Sequence, residues 1–340
     1  MKNKVIVTGG CGYIGSHTVV ELIENNFEVV IIDDLSNSSK KTVERIHDIT
    51  GVLPNFINVD LKNELETNTV FKKHKDAQLV IHFAAHKAVG ESVAEPLKYY
   101  QNNLYSLLNT ISAQSQNGIN NFIFSSSATV YGLPETLPIT EKTKTQRPFS
   151  PYGNTKKMAE EILDDLTKSN HEFSAISLRY FNPIGAHESG LLGELPNGIP
   201  NNLMPYITQA ANGNIEKLMV YGNDYPTKDG TPIRDYIHVV DLAKAHVIAV
   251  KRLLNKEHEK PLEFFNLGTG IGYSVMDVIN CFENTTGVKL NYEFTERRAG
   301  DVPQLYAATT LAQEKLGWTA EKGLHEMIKS SWDWENNINN

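Results

Sequence analysis

The sequence is poor in cysteine, in basic residues and in long apolar runs, and each shortage excludes a class of protein. Cys11 and Cys281 are far apart and form no Cys-x-x-Cys spacing, which excludes a disulfide framework and a zinc knuckle and fits a reducing compartment. The net charge of −8 argues against nucleic acid or an anionic membrane as the main partner. No run of about 18 apolar residues occurs, and the first residues lack the apolar stretch of a secretory signal. We expect a cytoplasmic protein with no membrane segment and no metal site.

The spacing of apolar runs predicts an α/β fold. Up to about residue 180, short apolar runs alternate with helical patterns, as they do in parallel sheets that helices cover on both faces. The predicted strands are 5–7, 29–32, 56–59, 79–83, 122–124 and 175–178. The predicted helices are 14–24, 65–74, 97–114 and 153–168.

The second half of the chain has a different composition. Glycine and proline become frequent after residue 179, and helical patterns return only at 239–255 and 275–286. A chain of 340 residues also exceeds the usual size of one domain. We therefore predict a doubly wound parallel (Rossmann) sheet in residues 1–180 and a smaller, loop-rich α/β substrate domain in residues 181–340. The second domain is expected over the carboxyl ends of the strands, with segments free to cross back to the first.

A glycine-rich turn follows the first predicted strand. Residues 9–15 read Gly-Gly-Cys-Gly-Tyr-Ile-Gly, so Gly9, Gly12 and Gly15 have the spacing that allows a tight turn and a close approach of the backbone to a pyrophosphate. The helix that follows would direct its free N–H groups and positive dipole end at the phosphates. Asp33 ends the second strand 18 residues after Gly15, where a carboxylate accepts hydrogen bonds from the adenosine ribose and repels a 2′-phosphate. These residues predict NAD rather than NADP.

A serine, a tyrosine and a lysine form the predicted catalytic group. Ser127 ends the fifth predicted strand, and Tyr152 and Lys156 are four residues apart at the start of the next helix, so they share one face. A free tyrosine has a pKa of about 10, too high for a base at neutral pH. We expect the ammonium of Lys156, together with the positive charge of oxidised nicotinamide, to lower the pKa of Tyr152. Ser127 is expected to share the proton.

This order of motifs resembles the extended branch of the short-chain dehydrogenases/reductases, and within it the UDP-glucose (UDP-galactose) 4-epimerases, nearly from end to end. The supporting segments are 8–17, 87–92, 125–132, 178–183, 198–206, 221–226, 234–238 and 297–301. Segments 8–17 and 125–132 are shared by many relatives, and the segments from 198 onward are more selective.

The resemblance implies a reaction and a set of contacts. Tyr152 would remove the proton of the sugar 4-hydroxyl while a hydride passes from C4 to NAD, Lys156 would hold the nicotinamide ribose, and Ser127 would relay the proton. The 4-keto sugar would take the hydride back on its other face, so NAD would stay bound. The expected cofactor contacts are Gly9, Gly12, Tyr13, Ile14, Gly15, Asp33, Asn37, Ser38, Asp60, Leu61, Phe83, Ala84, Lys87, Asn102, Tyr152, Lys156 and Tyr180. The expected UDP-sugar contacts are Ser127, Tyr152, Asn182, Asn202, Leu203, Tyr221, Arg234, Arg298, Asp301 and Leu305.

Three other functions are weighed against epimerisation. A nucleotide-sugar 4,6-dehydratase must eliminate water, and those enzymes carry Asp-Glu before Val-Tyr-Gly where this chain has Ala128 and Thr129. A non-catalytic NAD-binding module predicts a degraded Ser-Tyr-Lys set, which is intact here. A simple alcohol dehydrogenase gives no reason for the segments that resemble UDP-binding ones.

Some points stay open at this stage. In the epimerases that the chain resembles, a tyrosine at the position of Leu305 excludes an N-acetyl group and a small residue admits it. Leucine is intermediate, so UDP-N-acetyl sugars are a second substrate class to test. Arg297 is equally compatible with UDP binding and with a surface ion pair, and His86 is expected to line the cofactor cleft. By analogy with the family, a homodimer is expected through the helices at 97–114 and 153–168.

Overall fold

The computed structural model describes residues 2–298 and 301–339. The strands are β1 Lys4–Thr8, β2 Glu28–Asp33, β3 Asn55–Asn58, β4 Leu79–His82, β5 Asn121–Ser127, β6 Ser174–Tyr180, β7 Asn182–Ile184, β8 Leu218–Tyr221, β9 Ile233–His238, β10 Leu262–Leu267, β11 Gly272–Ser274, β12 Tyr292–Thr295 and β13 Gln304–Leu305. The helices are α1 Tyr13–Glu24, α2 Lys41–Thr50, α3 Glu64–Lys73, α4 Val89–Ala94, α5 Pro96–Gln116, α6 Pro151–Ser169, α7 Leu203–Ala211, α8 Val239–Leu254, α9 Val275–Thr286, α10 Thr310–Leu316 and α11 Leu324–Asn339.

The chain divides into two compact units, each built from separate segments. The first unit contains Met1–Gly132, Thr145–Arg179 and Ala243–Phe265. The second contains Leu133–Lys144, Tyr180–Leu242 and Asn266–Asn340.

The first unit is built on a seven-stranded parallel sheet in the order β3-β2-β1-β4-β5-β6-β10. Val5, Ile6 and Val7 of β1 are fully buried, as are the apolar residues of β4, because helices cover both faces of a central parallel strand. The predicted doubly wound sheet is confirmed. The order reverses direction at β1, whose neighbours are β2 and β4, and this reversal opens a crevice at the carboxyl ends of these strands.

The last strand of this sheet was not predicted. β10 follows α8 and pairs with β6 at the edge of the sheet. Its sequence is Leu-Glu-Phe-Phe-Asn-Leu, so a charged residue interrupts the apolar run that indicates a buried strand. That residue, Glu263, is buried in an ion pair with Arg252, at 2.7 Å between Oε2 and Nε. The helix α2, a short amphipathic segment, was not predicted either.

The second unit combines short strands with helices, and α7, α9 and α11 pack around a separate apolar core. β9 lies between β11 and β13 and also pairs with β7, while β8 pairs in parallel with β12. The core contains Ile207, Val278, Phe282 and Ile328 from α7, α9 and α11. Of the helices in this unit, α9 was predicted at the bounds found, and its start is fixed by a capping box between Ser274 and Asp277. Among the described residues, no helix is long and apolar enough to cross a membrane.

Candidate active site

The glycine-rich turn between β1 and α1 is as tight as its sequence predicts. A Cβ atom on Gly9, where φ is +69°, would lie 2.7 Å from the backbone nitrogen of Ala84, and one on Gly15 would lie 2.3 Å from the carbonyl oxygen of Gly9. Both positions therefore require glycine for the protein's own packing. A Cβ atom on Gly12 would meet only the carbonyl oxygen of Gly9, at 3.3 Å, so this side of the turn is more open and leaves room for a ligand.

The amino end of α1 suits an anion. Its N-cap is Gly12, which offers no side-chain cap, and its first turn contains no acidic residue. The backbone N–H groups and the positive end of the helix dipole are thus left for a phosphate. Lys87 lies above the ring of Tyr13, with its Nζ 5.8 Å from the ring centroid, and it brings a cation to the same end of the helix.

Asp33 closes the other side of the turn. Its buried carboxylate accepts hydrogen bonds from the backbone N–H of Cys11 at 2.9 Å and from the hydroxyl of Ser38 at 2.8 Å. Burial raises the pKa of Asp33, and these hydrogen bonds counteract the rise. Cys11 is buried, and burial also raises the pKa of its thiol, in keeping with a residue that fills space.

Other expected cofactor contacts lie at the carboxyl ends of β2, β3, β4 and β6, where a parallel sheet binds ligands. Asn37 follows β2 and is exposed. Asp60 is exposed and pairs with Lys62, whereas Leu61 is buried in the apolar core. The half-buried Phe83 and Ala84 follow β4, Asn102 lies on α5, and Tyr180 is the buried last residue of β6.

The predicted catalytic residues come together. Ser150 caps α6 by accepting a hydrogen bond from the N–H of Gly153 at 3.1 Å, so the helix begins at Pro151 and Tyr152 lies in its first turn. Tyr152 is hydrogen-bonded to Ser127 at the end of β5. One turn later, the Nζ of Lys156 lies 5.9 Å from the centroid of the Tyr152 ring.

The expected lowering of the tyrosine pKa combined the ammonium of Lys156 with the charge of oxidised nicotinamide, and the chain itself supplies only the first. Burial raises the pKa of Tyr152 to about 12, and the hydrogen bond with Ser127 only partly offsets that rise. Burial lowers the pKa of Lys156 to about 7, against a rise caused by Glu160. The ammonium donates to the carbonyl oxygen of Ser125 at 2.6 Å instead of to the phenol. The chain's own residues therefore do not produce the expected lowering of the tyrosine pKa.

One supporting residue was missed from the sequence. The side chain of Asn103 accepts from the N–H of His86 at 2.8 Å and donates to its carbonyl oxygen at 3.1 Å. It also donates to the hydroxyl of Thr155 at 3.0 Å, and that hydroxyl donates to the carbonyl oxygen of Tyr152 at 2.7 Å. Asn103 thus joins the segment that carries Lys87 to the first turn of α6. No sequence motif marks a buried asparagine of this kind.

Four of the expected UDP-sugar contacts form one cluster in the second unit. The carboxylate of Asp301 lies 3.4 Å from Arg234 and 3.9 Å from Arg298. The guanidinium of Arg298 lies above the ring of Tyr221, at 5.1 Å from its centroid. Two arginines and an aromatic ring at one place suit a nucleoside diphosphate. Positions 299 and 300 of the segment 297–301 lie outside the described residues.

The remaining expected contacts of the second unit lie on three of its elements. Asn182 begins β7, and Leu203 is the first residue of α7. Asn202 occupies the N-cap position of α7, where its side chain donates to Glu194 at 2.7 Å instead of capping the helix. Leu305 is buried on β13, where it pairs with Arg234 of β9.

The residues left open by the sequence have partners of their own. Arg297 forms an exposed ion pair with Asp224 at 2.7 Å and stacks on Tyr225, as the surface ion-pair interpretation expects. His86 is half-buried, and its ring centroid lies 5.5 Å from that of Tyr99.

Comparison with known proteins identifies the family. The model of the GDP-mannose 4,6 dehydratase family matches residues 6–331. The UDP-glucose 4-epimerase of Bacillus subtilis is 51% identical over 336 residues, which cover 98% of either chain. The crystal structure of UDP-glucose 4-epimerase from Bifidobacterium longum in complex with NAD+ and UDP is 45% identical, with a TM-score of 0.95 over 99% of either chain. The UDP-Glc/GlcNAc 4-epimerase of Campylobacter jejuni is 37% identical, with a TM-score of 0.84 over 98% of this chain and 99% of that one. The chain belongs to the UDP-glucose 4-epimerase family, within the extended short-chain dehydrogenases/reductases.

Proposed function

We propose that this protein interconverts UDP-glucose and UDP-galactose by inverting C4 of the hexose, with NAD as a resident cofactor. The observation that carries the proposal is the intact group of Ser127, Tyr152 and Lys156 beside a glycine-rich turn, in a chain that is 51% identical to a UDP-glucose 4-epimerase along almost its whole length.

The residues of the first unit fit NAD. Gly12 and the uncapped amino end of α1 would hold the pyrophosphate, and Asp33 would accept hydrogen bonds from the adenosine ribose. The carboxylate of Asp33 disfavours the 2′-phosphate of NADP. When bound, NAD would supply reversible hydride transfer at C4 of the sugar.

Tyr152 acts as the base at the sugar 4-hydroxyl. In the chain alone its pKa is about 12, so the phenol needs a further positive charge beside it before it can ionise near neutral pH. Ser127 donates a hydrogen bond that stabilises the phenolate and steers the proton. Lys156 would hold the ribose of the nicotinamide and would add its charge to the same site.

The cluster of the second unit binds the nucleotide. Arg234 and Arg298 are proposed to hold the diphosphate, and Asp301 to orient both guanidinium groups. Tyr221, Asn182, Asn202 and Leu203 are proposed as further contacts.

The residues that follow β5 favour epimerisation over dehydration. Elimination of water needs an acid and a base next to the sugar, and Ala128 and Thr129 supply neither. The family model that matches the chain is named after a dehydratase, but the relatives at about half identity over the full chain are named epimerases.

We further propose a homodimer and a cytoplasmic location. Leu97, Tyr105 and Leu108 are exposed on α5, with Leu97 72% exposed, and a second copy of this chain would cover them. Both cysteines are free, which suits a reducing compartment. Sedimentation of the purified protein, wild type against Leu97→Asp, tests the dimer.

The proposed reaction is tested with the purified protein in the absence of added NAD. Incubation with UDP-galactose is expected to yield UDP-glucose, and denaturation of the protein is expected to release NAD. The variant Tyr152→Phe is expected to lose about 10²–10⁴-fold in rate, as is usual when a general base is removed, while it retains NAD. Tyr292→Phe, an exposed tyrosine on β12, is the matched control. Release of a 4-keto-6-deoxy sugar would point to the dehydratase instead.

A further inference from the structure

Three consecutive serines at the end of β5 contact three residues of α6 that are spaced by four. Ser127 is hydrogen-bonded to Tyr152, and the carbonyl oxygen of Ser125 accepts from Lys156 at 2.6 Å. Between them, the hydroxyl of Ser126 donates to Oε1 of Glu160 at 2.7 Å. The three helical residues project from one face of α6, so the strand and the helix are held in one register over two turns.

Glu160, the member of this series without a catalytic role, is buried and receives hydrogen bonds from two strands. Its Oε1 also accepts from the hydroxyl of Ser177 and from Nε of Arg179, each at 2.9 Å, and its Oε2 accepts from the other end of the Arg179 guanidinium at 2.7 Å. The carboxylate is thus tied to β5 through Ser126 and to β6 through the other two residues. A buried carboxylate is expensive unless its oxygens are satisfied, and here both are.

Glu160 is also the acidic group next to Lys156. Its charge counteracts the effect of burial on that lysine. The other titratable groups that face Lys156 are Tyr152 on its own helix and His82 on β4, which burial keeps neutral with a pKa of about 3. Arg179 on β6 forms an ion pair with Glu160.

We propose that Glu160 is a positioning residue for the catalytic pair: through Ser126 it fixes the register of α6 on β5, so that Tyr152 meets Ser127 and the charged Lys156 meets Ser125. This role rests on the proposed epimerase function. The carboxylate of Glu160 is enclosed by its partners on β5 and β6, away from the groups proposed to touch substrate and cofactor. It acts through the two residues that precede it on the same face of the helix.

The register is tested with two matched variants. Ser126→Ala and Ser177→Ala each remove one hydrogen bond to the same oxygen of Glu160, and both serines are buried. We expect Ser126→Ala to lower kcat about tenfold with KM unchanged, since small displacements of catalytic groups cost rate rather than binding. We expect Ser177→Ala to retain the wild-type kcat, with a comparable loss of thermal stability. Equal kcat values for the two variants would overturn the proposal.

The charge of Glu160 is tested separately through the pH profile. Glu160→Gln is expected to move the acid limb of kcat to higher pH by about one unit, because a less highly charged Lys156 stabilises the phenolate of Tyr152 less well. Glu160→Gln leaves the buried guanidinium of Arg179 without its carboxylate and so endangers folding. The double variant Glu160→Gln/Arg179→Met removes both charges.

A shifted profile in the double variant supports the proposal, and a wild-type profile there overturns it. An inactive wild-type protein would instead overturn the proposed function, and this role with it. The two failures are therefore distinguishable.

Discussion

The ammonium of Lys156 and the carbonyl oxygen of Ser125 lie 2.6 Å apart, and both residues are buried. One carbonyl dipole compensates only part of the hydration that the ammonium loses, so its pKa falls to about 7. The lysine is thus held where the proposed reaction needs a cation and where folding alone would favour an apolar side chain.

Replacement of this lysine is expected to stabilise the cofactor-free protein. The pKa of Lys156 is lower in the folded chain than in the unfolded one, so the folded state holds fewer protons from pH 7 up to the ordinary lysine pKa of 10.5, and stability rises with pH across that window. Lys156→Met removes a penalty that is fully present below pH 7. At pH 6 we expect the free energy of unfolding of Lys156→Met, measured in urea, to exceed that of the wild type by on the order of 2 kcal/mol. The gain should be smaller at pH 9, and the variant should be inactive.

The neighbouring lysine serves as its control. Lys157 forms a partly exposed pair with Glu161 at 3.6 Å, so Lys157→Met should change stability little at either pH and should leave activity intact. A gain for Lys156→Met that stayed constant with pH would show that lost hydration of the ammonium is not its origin.

Substitutions of two glycines in the same turn are expected to have different effects, one on folding and the other on NAD binding. Gly9→Ala places a Cβ against the backbone of Ala84 at a positive φ, and it should destabilise the fold by about 1–3 kcal/mol even without cofactor. Gly12→Ala meets only the Gly9 carbonyl oxygen at 3.3 Å, so the fold should tolerate it better while NAD is lost. Urea unfolding of the stripped proteins and the NAD content of the purified ones separate the two effects. A normal NAD content in Gly12→Ala would contradict the assignment of the pyrophosphate to that side of the turn.

The two adjacent arginines of the second unit are expected to differ in function. Arg298 belongs to the cluster around Asp301, whereas Arg297 is held by Asp224 and Tyr225. Loss of a charge-assisted hydrogen bond of 1.5–3 kcal/mol corresponds to about tenfold to hundredfold in affinity, so Arg298→Gln should raise KM for UDP-galactose by that amount. Arg297→Gln should leave KM unchanged in steady-state assays. The reverse order of effects would mean that the nucleotide contacts the other arginine.

Leu305 is expected to set the width of the sugar site. Its side chain is buried on β13, beside Arg234. Leu305→Tyr should lower kcat/KM for UDP-N-acetylgalactosamine by about tenfold or more, because a pocket rejects added volume sterically, and UDP-galactose should be affected little. Any loss of folded protein lowers both kcat/KM values by the same factor, so it does not change their ratio. An unchanged ratio would place the N-acetyl group elsewhere.

The sheet of the first unit was largely predictable because its information is local. The six predicted strands were found with bounds that differ by a few residues. A short continuous apolar run such as 5–7 is buried best as a central strand of a parallel sheet, so its sequence alone indicates that structure. β10 was missed because Glu263 needs a partner, Arg252, that only the folded structure brings next to it.

The grouping of the candidate catalytic residues was predictable, and their energetics less so. Tyr152, Lys156 and Ser127 follow from spacing and order along the chain. The pKa of Tyr152 does not, because burial and the direction of the Lys156 ammonium depend on three-dimensional packing. The roles of Asn103 and Glu160 were not predicted for the same reason, because they depend on hydrogen-bond partners that are distant in sequence.

The position of β10 has a consequence for synthesis on the ribosome. The first unit takes its last segment from Ala243–Phe265, so its sheet lacks an edge strand and α8 until the ribosome has passed that segment. A fragment that stops at residue 180 would leave the edge of β6 unpaired, and such an edge invites association with other chains. The glycine-rich turn emerges early from the ribosome, but the unit that holds it in shape is finished late.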